Sequence, residues 1–317
     1  MLSRIAESLY WIGRYLERAD NTARILEVEV QTNLENPPEG NKKMDERSAN
    51  GSSSSSASPT STVVEADYLA MHSLSLGHPT SILSSVISAR ENARGAREVI
   101  SSELWECLNV TQNQMMLTSV EGGSLSLHQF FQFTQLAKER VALAYGIVDS
   151  TMIRDDAWYF FTIGVFIERI DMTVRLIGTR DLESEDVFRW ITMLKSCSAY
   201  QAFIRIYGGI GMDRRSVLEF LVLDRGFPRS IYFSLCSVGA ALEAISDGNS
   251  SMLRKDIPFR LLGRLKGAVE YLDGDDLALH IGAHLAKIQR ETGELSIAIS
   301  NRFFYQDEQQ QWRSGRN

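Results

Sequence analysis

The chain has 317 residues, 44% of them hydrophobic, so it is long enough and apolar enough to form one large or two modest folded domains. Its formal net charge is −7, and its 33 basic residues are interspersed with 40 acidic ones, which argues against nucleic acid as a partner. The 3 cysteines lie far apart without a CxxC spacing, which argues against a disulfide framework or a thiolate metal site and favours a reducing cytoplasm.

The N-terminal residues predict an amphipathic helix and no targeting signal. Arg4, Glu7 and Arg14 interrupt any apolar stretch that a signal peptide would need. The apolar run over residues 157–167 ends at a Glu-Arg pair and is too short to span a bilayer. We therefore predict a cytoplasmic protein that does not contact a membrane.

Residues 3 to about 34 predict one long helix. Apolar residues recur at helical spacing along one side of it, at Ile5, Leu9, Ile12, Leu16, Ala19, Ala23, Leu26 and Val30. The opposite side carries a narrow polar strip of Gly13, Glu17, Asp20 and Arg24, flanked by Arg14, Arg18 and Asn21. Such a strip is either solvated or needs partners from elsewhere in the fold.

The motif of residues 12–26 occurs a second time, at residues 163–177, without a gap. Ile, Gly, Glu, Arg, Asp, Thr and the final Arg recur in register. The match suggests a duplicated unit of roughly 150 residues. We therefore predict two related halves, about 1–150 and 151–305.

The second copy is more apolar than the first, because Val165 and Met172 replace Arg14 and Asn21. Its helix is apolar nearly all round, so its polar strip is expected to be enclosed. This second strip consists of Gly164, Glu168, Asp171 and Arg175.

Burying a charged side chain costs several kcal/mol of folding free energy unless the charge pairs with an opposite charge or a polar ligand. Two interpretations of the strips stay open at this point: a buried Glu–Arg network that fixes helix register, or a ligand-binding or catalytic strip. Glycine costs a helix interior about 1 kcal/mol relative to alanine. Its recurrence at Gly13 and Gly164 therefore indicates that something, such as another helix, approaches the backbone closely.

Residues 36–62 break the first helix with Pro37-Pro38, five serines from Ser52 to Ser56 and Pro59. Such a composition cannot bury a core and predicts a disordered, low-complexity insertion. Helices are predicted to resume at residue 63, with a turn at His78-Pro79-Thr80 before a helix over residues 82–100.

Arg90, Arg94 and Arg97 lie on one face of that helix. A solvated surface is the ordinary interpretation. The alternative is that these arginines partner the carboxylates of the strips. Because Arg18 and Arg169 lie about 100° from their neighbouring glutamates on a helix, we expect each glutamate to pair with Arg24, Arg175 or an arginine from residues 89–97 instead.

Helices are further predicted over residues 125–145 and 187–205. The glycine-rich segment 207–213 lacks a preceding strand and a following Lys-Ser or Lys-Thr, so it predicts a helix end and a new N-cap at Asp213, not a phosphate loop. Pro228 is predicted in the first turn of the following helix. Arg225 and Arg229 repeat the spacing of Arg90 and Arg94, but Pro228 separates them, which leaves Arg229 as the better site candidate.

The C-terminal part predicts helices over residues 230–246 and 259–305, the latter broken near residues 273–276, and a polar tail at 306–317. His280 and His284 have a metal-compatible spacing but lack a third ligand and a hydrolase glutamate, so we predict no metal site and no cofactor. Nucleophilic hydrolysis has no support either, because the chain has no GxSxG motif.

Several of these motifs, in order, resemble the Alpha-E family, all-helical bacterial proteins named for a Glu-Arg pair. The resemblance is carried by residues 9–20, 89–94 with Leu104-Trp105, 163–175, 197–200, 207–209 and 223–230. The serine-rich segment 36–62 departs from the family pattern and has the character of a loop insertion. The fold expected is an all-α bundle of two pseudo-symmetric halves without a sheet, in which the two Glu-Arg helices pack together.

The resemblance implies that genes of this kind stand beside those of circularly permuted ATP-grasp proteins and transglutaminase-like proteins. It therefore favours an accessory or substrate-binding component of an ATP-grasp-linked system that forms amide bonds in peptide synthesis or modification. The alternative is an enzyme with Glu17 or Glu168 as general base. Its anionic peptide or amino-acid substrate would be held by Arg24, Arg94, Arg175 and Arg229.

Overall fold

The computed structural model describes residues 1–35, 68–120, 126–179, 186–208, 211–246 and 256–304. This part of the chain consists of helices and short connections and contains no strand, which confirms the all-α prediction. The predicted insertion at 36–62 and the tail at 306–317 lie outside the described residues. The division into two halves stays a prediction.

The helices follow one another with mostly short connections. They are α1 (Ser3–Glu35), α2 (Ile82–Gly95), α3 (Ser102–Val120), α4 (Leu127–Thr151), α5 (Asp156–Gly178), α6 (Val187–Ser196), α7 (Tyr200–Tyr207), α8 (Arg214–Leu223), α9 (Ile231–Ile245), α10 (Ile257–Glu270), α11 (Gly274–Leu279) and α12 (Ile281–Phe303). A short helical segment also covers residues 68–74. None of these described helices has the length and apolarity that a bilayer crossing requires.

Helices α1 and α5, which carry the two copies of the motif, pack along each other at the centre of the fold. Helix α1 also packs against α2 and α4, and α5 packs against α9 and α12. Ile12, Leu16, Ile163 and Ile167 are fully or almost fully buried between these layers. The expectation that the two Glu-Arg helices lie together is therefore confirmed.

The contact between α1 and α5 is closest at the two glycines of the motif. A Cβ atom on Gly13 would lie 2.3 Å from the carbonyl oxygen of Phe161, and one on Gly164 would lie 2.0 Å from that of Tyr10. Each glycine thus packs against the residue three positions before the glycine of the other helix. Only glycine leaves room for such backbone contact, so the same sequence feature produces the same contact from both sides.

Helices α2 and α9 begin with the same local structure. Ser81 and Ser230 are their N-caps, with Oγ atoms that accept from the backbone N–H groups of Ser84 and Phe233. Each cap hydroxyl also donates to a carbonyl six residues earlier, at 2.6 Å for Ser81 and 2.5 Å for Ser230. These bonds hold the loops before both helices. Pro228 lies in such a loop, so the prediction that it occupies the first turn of the helix is wrong.

The single helix predicted over residues 187–205 is instead two helices, α6 and α7. Ser198 separates them with a φ of 53°, in the left-handed region that ends a helix. The Ser198 hydroxyl accepts a hydrogen bond from Arg24 at 2.8 Å, so the break also brings a polar group to the motif of α1. The helix end at Gly208 and the new N-cap at Asp213 are as predicted.

The glycine contact generates a stability prediction. Gly164→Ala should lower the free energy of unfolding by about 3 kcal/mol, because the new methyl group forces the two helix backbones apart. Gly146→Ala is the matched control, since Gly146 is exposed within α4 and an added Cβ meets nothing within 4 Å. That control should gain up to about 1 kcal/mol from helix propensity. Urea unfolding followed by circular dichroism measures both, and equal effects would contradict the close-contact argument.

Candidate functional site between the paired helices

Glu17 is fully buried and forms an ion pair with the arginine of the other motif copy. Arg169 donates from Nε to Oε1 of Glu17 at 2.8 Å and from Nη2 to Oε2 at 2.6 Å. The two parallel bonds form the bidentate arrangement in which guanidinium–carboxylate pairs are strongest. Arg169 also donates to the carbonyl oxygen of Pro228 at 3.1 Å, which ties the pair to the loop before α9.

Three further groups donate to the Glu17 carboxylate. The Tyr145 hydroxyl from α4 lies 2.7 Å from Oε2, and the Asn21 amide lies 2.9 Å from Oε1. Arg229, from the loop before α9, lies 3.2 Å from Oε1. The carboxylate is therefore held by side chains from four parts of the chain.

These donors set the ionisation of the cluster. Burial by itself would raise the pKa of Glu17, but the charges of Arg169 and Arg229, with the hydrogen bonds from Arg169 and Tyr145, lower it from 4.5 to about 2. Burial and the neighbouring Glu17 carboxylate raise the pKa of Tyr145 well above its ordinary value. Glu17 is therefore ionised and Tyr145 protonated near pH 7, as their hydrogen bond requires.

Asp20 extends this cluster by one helical turn. Its Oδ2 atom accepts from Arg24 at 2.8 Å and from Arg229 at 2.5 Å. Arg229 also donates to the Asn21 side chain at 2.7 Å, so one guanidinium connects three side chains of α1. Arg229 thus pairs with both carboxylates of the first strip.

Glu168, in the second copy, is held in a related way. Its side chain is 1% exposed and accepts from Arg18 at 2.6 Å and 3.1 Å and from Arg14 at 2.6 Å. Each motif copy therefore supplies the arginine that pairs with the glutamate of the other copy. The predicted partners of the glutamates within α1, α5 or α2 are wrong for this reason: the close approach at the glycines brings the adjacent arginine of the opposite helix within reach.

The arginines of α2 take part in other interactions. Arg90 donates to Asn109 at 2.8 Å and contacts Glu91 and the Trp105 ring. The Arg94 side chain is 68% exposed and lies 3.5 Å from Glu91. Helix α2 ends at Gly95 and not near residue 100, so Arg97 lies beyond it and contacts the Trp105 ring. The proposed role of these arginines as partners of the motif carboxylates is therefore wrong within the described residues, and for Arg94 the solvated-surface interpretation is correct.

Asp171 and Arg175 form the outer end of the second strip and are less enclosed than Asp20 and Arg24. Arg175 donates to Asp171 at 2.9 Å, with side chains that are 60% and 19% exposed. They border a cavity of about 310 Å³ that opens beside Glu168. Its walls combine charged, polar and apolar residues: Arg18, Thr22, Ile25, Leu26, Tyr68, His72, Thr80, Glu168, Asp171, Met172 and Arg175.

The sequence names Arg14 and Arg18 only as neighbours of the first strip, its helical spacing argues against Arg18 and Arg169 as partners of the glutamates, and nothing in it indicates Tyr145. The repeated Glu-Arg dipeptide was a usable signal for Arg18 and Arg169, because two copies that face each other can exchange partners. Tyr145 lies alone in a different helix and has no such signal. Of the predicted strip residues, the structure gathers Glu17, Asp20, Arg24 and Arg229 into one cluster and places Glu168, Asp171 and Arg175 around the cavity.

The fold and the site define an all-helical protein built around two facing Glu-Arg helices. The family model Alpha-E, described as a predicted α-helical domain with a conserved ER motif, matches residues 1–304. The chain therefore belongs to the Alpha-E family. No curated protein and no solved structure matches it.

The depressed pKa of Glu17 generates a prediction for stability against pH. A carboxyl group with a lowered folded-state pKa stabilises the fold above its unfolded-state pKa, and this stabilisation is lost as pH falls through the folded-state pKa. Glu17 should therefore contribute about 3 kcal/mol at pH 7, lost between pH ~4.5 and ~2. In Glu17→Gln, unfolding free energy should be lower by about 3–5 kcal/mol at pH 7 and vary less across that pH range.

Asp149→Asn is the control for this experiment, because Asp149 pairs with Arg154 at the surface, with its side chain 75% exposed. Exposed pairs contribute at most about 1 kcal/mol. Unfolding curves at several pH values compare the two variants. Equal pH profiles for Glu17→Gln and the unsubstituted protein would refute the assignment.

Proposed function

We propose that the protein is the substrate-binding component of an ATP-grasp-linked system that forms amide bonds, and that it holds an amino acid or a peptide in the cavity beside Glu168. The observation that supports this most directly is the composition of the cavity wall, which places two carboxylates and two guanidiniums next to apolar side chains. The ATP-grasp partner, and a transglutaminase-like protein in the same system, come from the family resemblance.

The size of the cavity suits a small substrate. At about 310 Å³ it lies at the lower end of the range of ligand pockets, about 300–1,000 Å³. Ile25, Leu26 and Met172 provide an apolar part, as pockets for small molecules usually have. The space therefore suits an amino acid or the end of a peptide better than an extended chain.

The charges of the cavity match the two charges of an amino acid or peptide terminus. Asp171 can accept from a cationic group of the ligand, and Arg175, whose Nε donates to Asp171, has two terminal nitrogens that can donate to a carboxylate. A ligase that joins a carboxyl group to an amine needs each substrate held in one orientation. A binding component of this kind would supply that orientation.

Catalysis by the protein itself, the alternative, receives less support from the geometry. Glu17 is fully buried and its pKa is lowered to about 2, so it is a weak base near pH 7. Glu168 borders the cavity, but its two oxygens accept from Arg14 and Arg18. Both glutamates are better suited to holding the helices in register than to removing a proton.

The proposal predicts that Arg175→Gln weakens binding of amino acids or short peptides by about tenfold, the effect of losing one charge-assisted hydrogen bond. Stability should change by less than about 1 kcal/mol, because Arg175 is largely exposed. Arg154→Gln is the matched control, since Arg154 is an exposed arginine paired with Asp149. Isothermal titration calorimetry measures both, and equal binding by the two variants would contradict the assignment of the cavity.

The unsubstituted protein and Arg175→Gln also test the association with an ATP-grasp protein. Coexpression with the ATP-grasp protein should yield a complex, and Arg175→Gln should reduce product formation without preventing assembly. Failure to associate, together with an unchanged product, would refute the accessory role. Product made by the purified chain alone and lost in Glu168→Gln would establish the enzymatic alternative in its place.

A further inference from the structure

The loops before α2 and α9 share a sequence pattern and a hydrogen-bond pattern. The sequences are His78-Pro79-Thr80-Ser81-Ile82 and Phe227-Pro228-Arg229-Ser230-Ile231. In both, the N-cap serine donates its backbone N–H to the carbonyl of the residue before proline, at 3.0 Å. Thr80 and Arg229 therefore occupy matching positions in the two loops.

The two loops also face matching parts of the motif helices. Helix α2 packs on α1 and α9 packs on α5, and each loop reaches the carboxylates of the other motif copy. Arg229 contacts Glu17 and Asp20. Thr80 borders the cavity with Glu168 and Asp171, the counterparts of Glu17 and Asp20.

In the part of the chain that the structure describes, the cavity lies where the second copy has Thr80 in place of an arginine such as Arg229. In the first copy the Arg229 guanidinium fills the space between its loop and Asp20, and its side chain is only 15% exposed. In the second copy threonine is too short to reach across, and the 310 Å³ cavity lies in between. Within the described residues, a guanidinium of the chain itself therefore closes the first copy, whereas the second copy borders a cavity.

We propose that the cavity binds the guanidinium group of a ligand, with free arginine or an arginine residue of a peptide as the substrate class. The inference rests on the proposed function in that it names the ligand chemistry of the same cavity. The cation would take the position that Arg229 occupies in the first copy, with its stem along the apolar wall.

Asp171 is the group that anchors this cation. Its counterpart Asp20 accepts from two guanidiniums, those of Arg24 and Arg229, whereas the partner of Asp171 is Arg175, the counterpart of Arg24. Both oxygens of Glu168 already accept from Arg14 and Arg18, which leaves Asp171 as the carboxylate for a ligand cation. The second guanidinium of the Asp171 site is thus the one that a ligand would supply.

The aromatic wall of the cavity is compatible with a cation. The Tyr68 and His72 rings lie 4.5 Å apart, and an aromatic face attracts a planar guanidinium. Partial burial and the nearby His78 lower the pKa of His72, so its ring is neutral near pH 7 and does not repel a positive charge.

The test compares arginine with citrulline, which has the same shape but a neutral urea group. By isothermal titration calorimetry on the full chain, arginine should bind at least about tenfold more tightly than citrulline or leucine. Guanidinium chloride at millimolar concentration should compete with arginine. A tripeptide with a central arginine distinguishes a peptide substrate from the free amino acid.

One substitution should fill the cavity of the second motif copy, and another should open the corresponding space in the first copy. Thr80→Arg should fill the cavity and abolish arginine binding. Arg229→Thr should open the first site, lower the melting temperature and allow millimolar guanidinium chloride to restore part of it, which the unsubstituted protein would not show. Asp171→Asn should lose the preference for arginine over citrulline and keep the melting temperature, so the proposal remains testable even if Thr80→Arg fails to fold.

Failure of this inference is distinguishable from failure of the proposed function. Equal binding of arginine, citrulline and leucine, blocked by Thr80→Arg, would overturn the guanidinium site and leave an amino-acid-binding cavity. Arginine binding that Asp171→Asn removes, without any association with an ATP-grasp protein, would support the guanidinium site and refute the accessory role. Absence of arginine binding to the unsubstituted protein would overturn the inference directly.

Discussion

The close approach of α1 and α5 at two glycines is the constraint on which the rest of the structure depends. Without Cβ atoms at Gly13 and Gly164, each helix backbone contacts the carbonyl of the other. The short distance brings Arg169 to Glu17 and Arg18 to Glu168. The repeated Gly-x-x-x-Glu-Arg pattern thus describes one contact made twice, with the glycine setting the distance and the charged pair setting the register.

The buried charges gain their stability from complete pairing. An ion pair taken out of water contributes little unless its remaining donors and acceptors are satisfied. Around Glu17 this is achieved with Arg169, Tyr145, Asn21 and Arg229. Glu168 pairs with Arg14 and Arg18, without an arginine from a loop. The cavity between Thr80 and Asp171 is the candidate binding site. Among the described residues, the motif is therefore closed by a loop arginine in the first copy and borders a cavity in the second.

The sequence predicts those features that follow from local patterns. The extent of α1, the all-α fold, the packing of the two Glu-Arg helices and the close contact at the glycines all follow from periodicity, from the repeat and from the cost of glycine in a helix. The break at Ser198 does not, because the 187–205 stretch has helical periodicity and the left-handed residue is a serine. The partners of the glutamates were also mispredicted, since their identity depends on how two distant helices cross.

The correspondence between Thr80 and Arg229 was available in the sequence but was hidden by a competing pattern. Arg225 and Arg229 match the spacing of Arg90 and Arg94, which draws attention to arginines and away from the shared Pro-x-Ser-Ile segment. The serine caps resolve this, because their hydrogen bonds align Ser81 with Ser230. The shared backbone arrangement with a differing side chain is recognisable once each loop is placed beside the corresponding carboxylates of the opposite motif copy.

The most direct test of the crossed Glu–Arg pairs is a double-mutant cycle between Glu17 and Arg169. The unfolding free energies of Glu17→Gln, Arg169→Gln and the double variant are measured by urea denaturation, with Glu168 and Arg18 as a second cycle. The account predicts a coupling energy of about 2–3 kcal/mol for Glu17 with Arg169. Additive effects, with a coupling below about 0.5 kcal/mol, would contradict the claim that these pairs join the two helices.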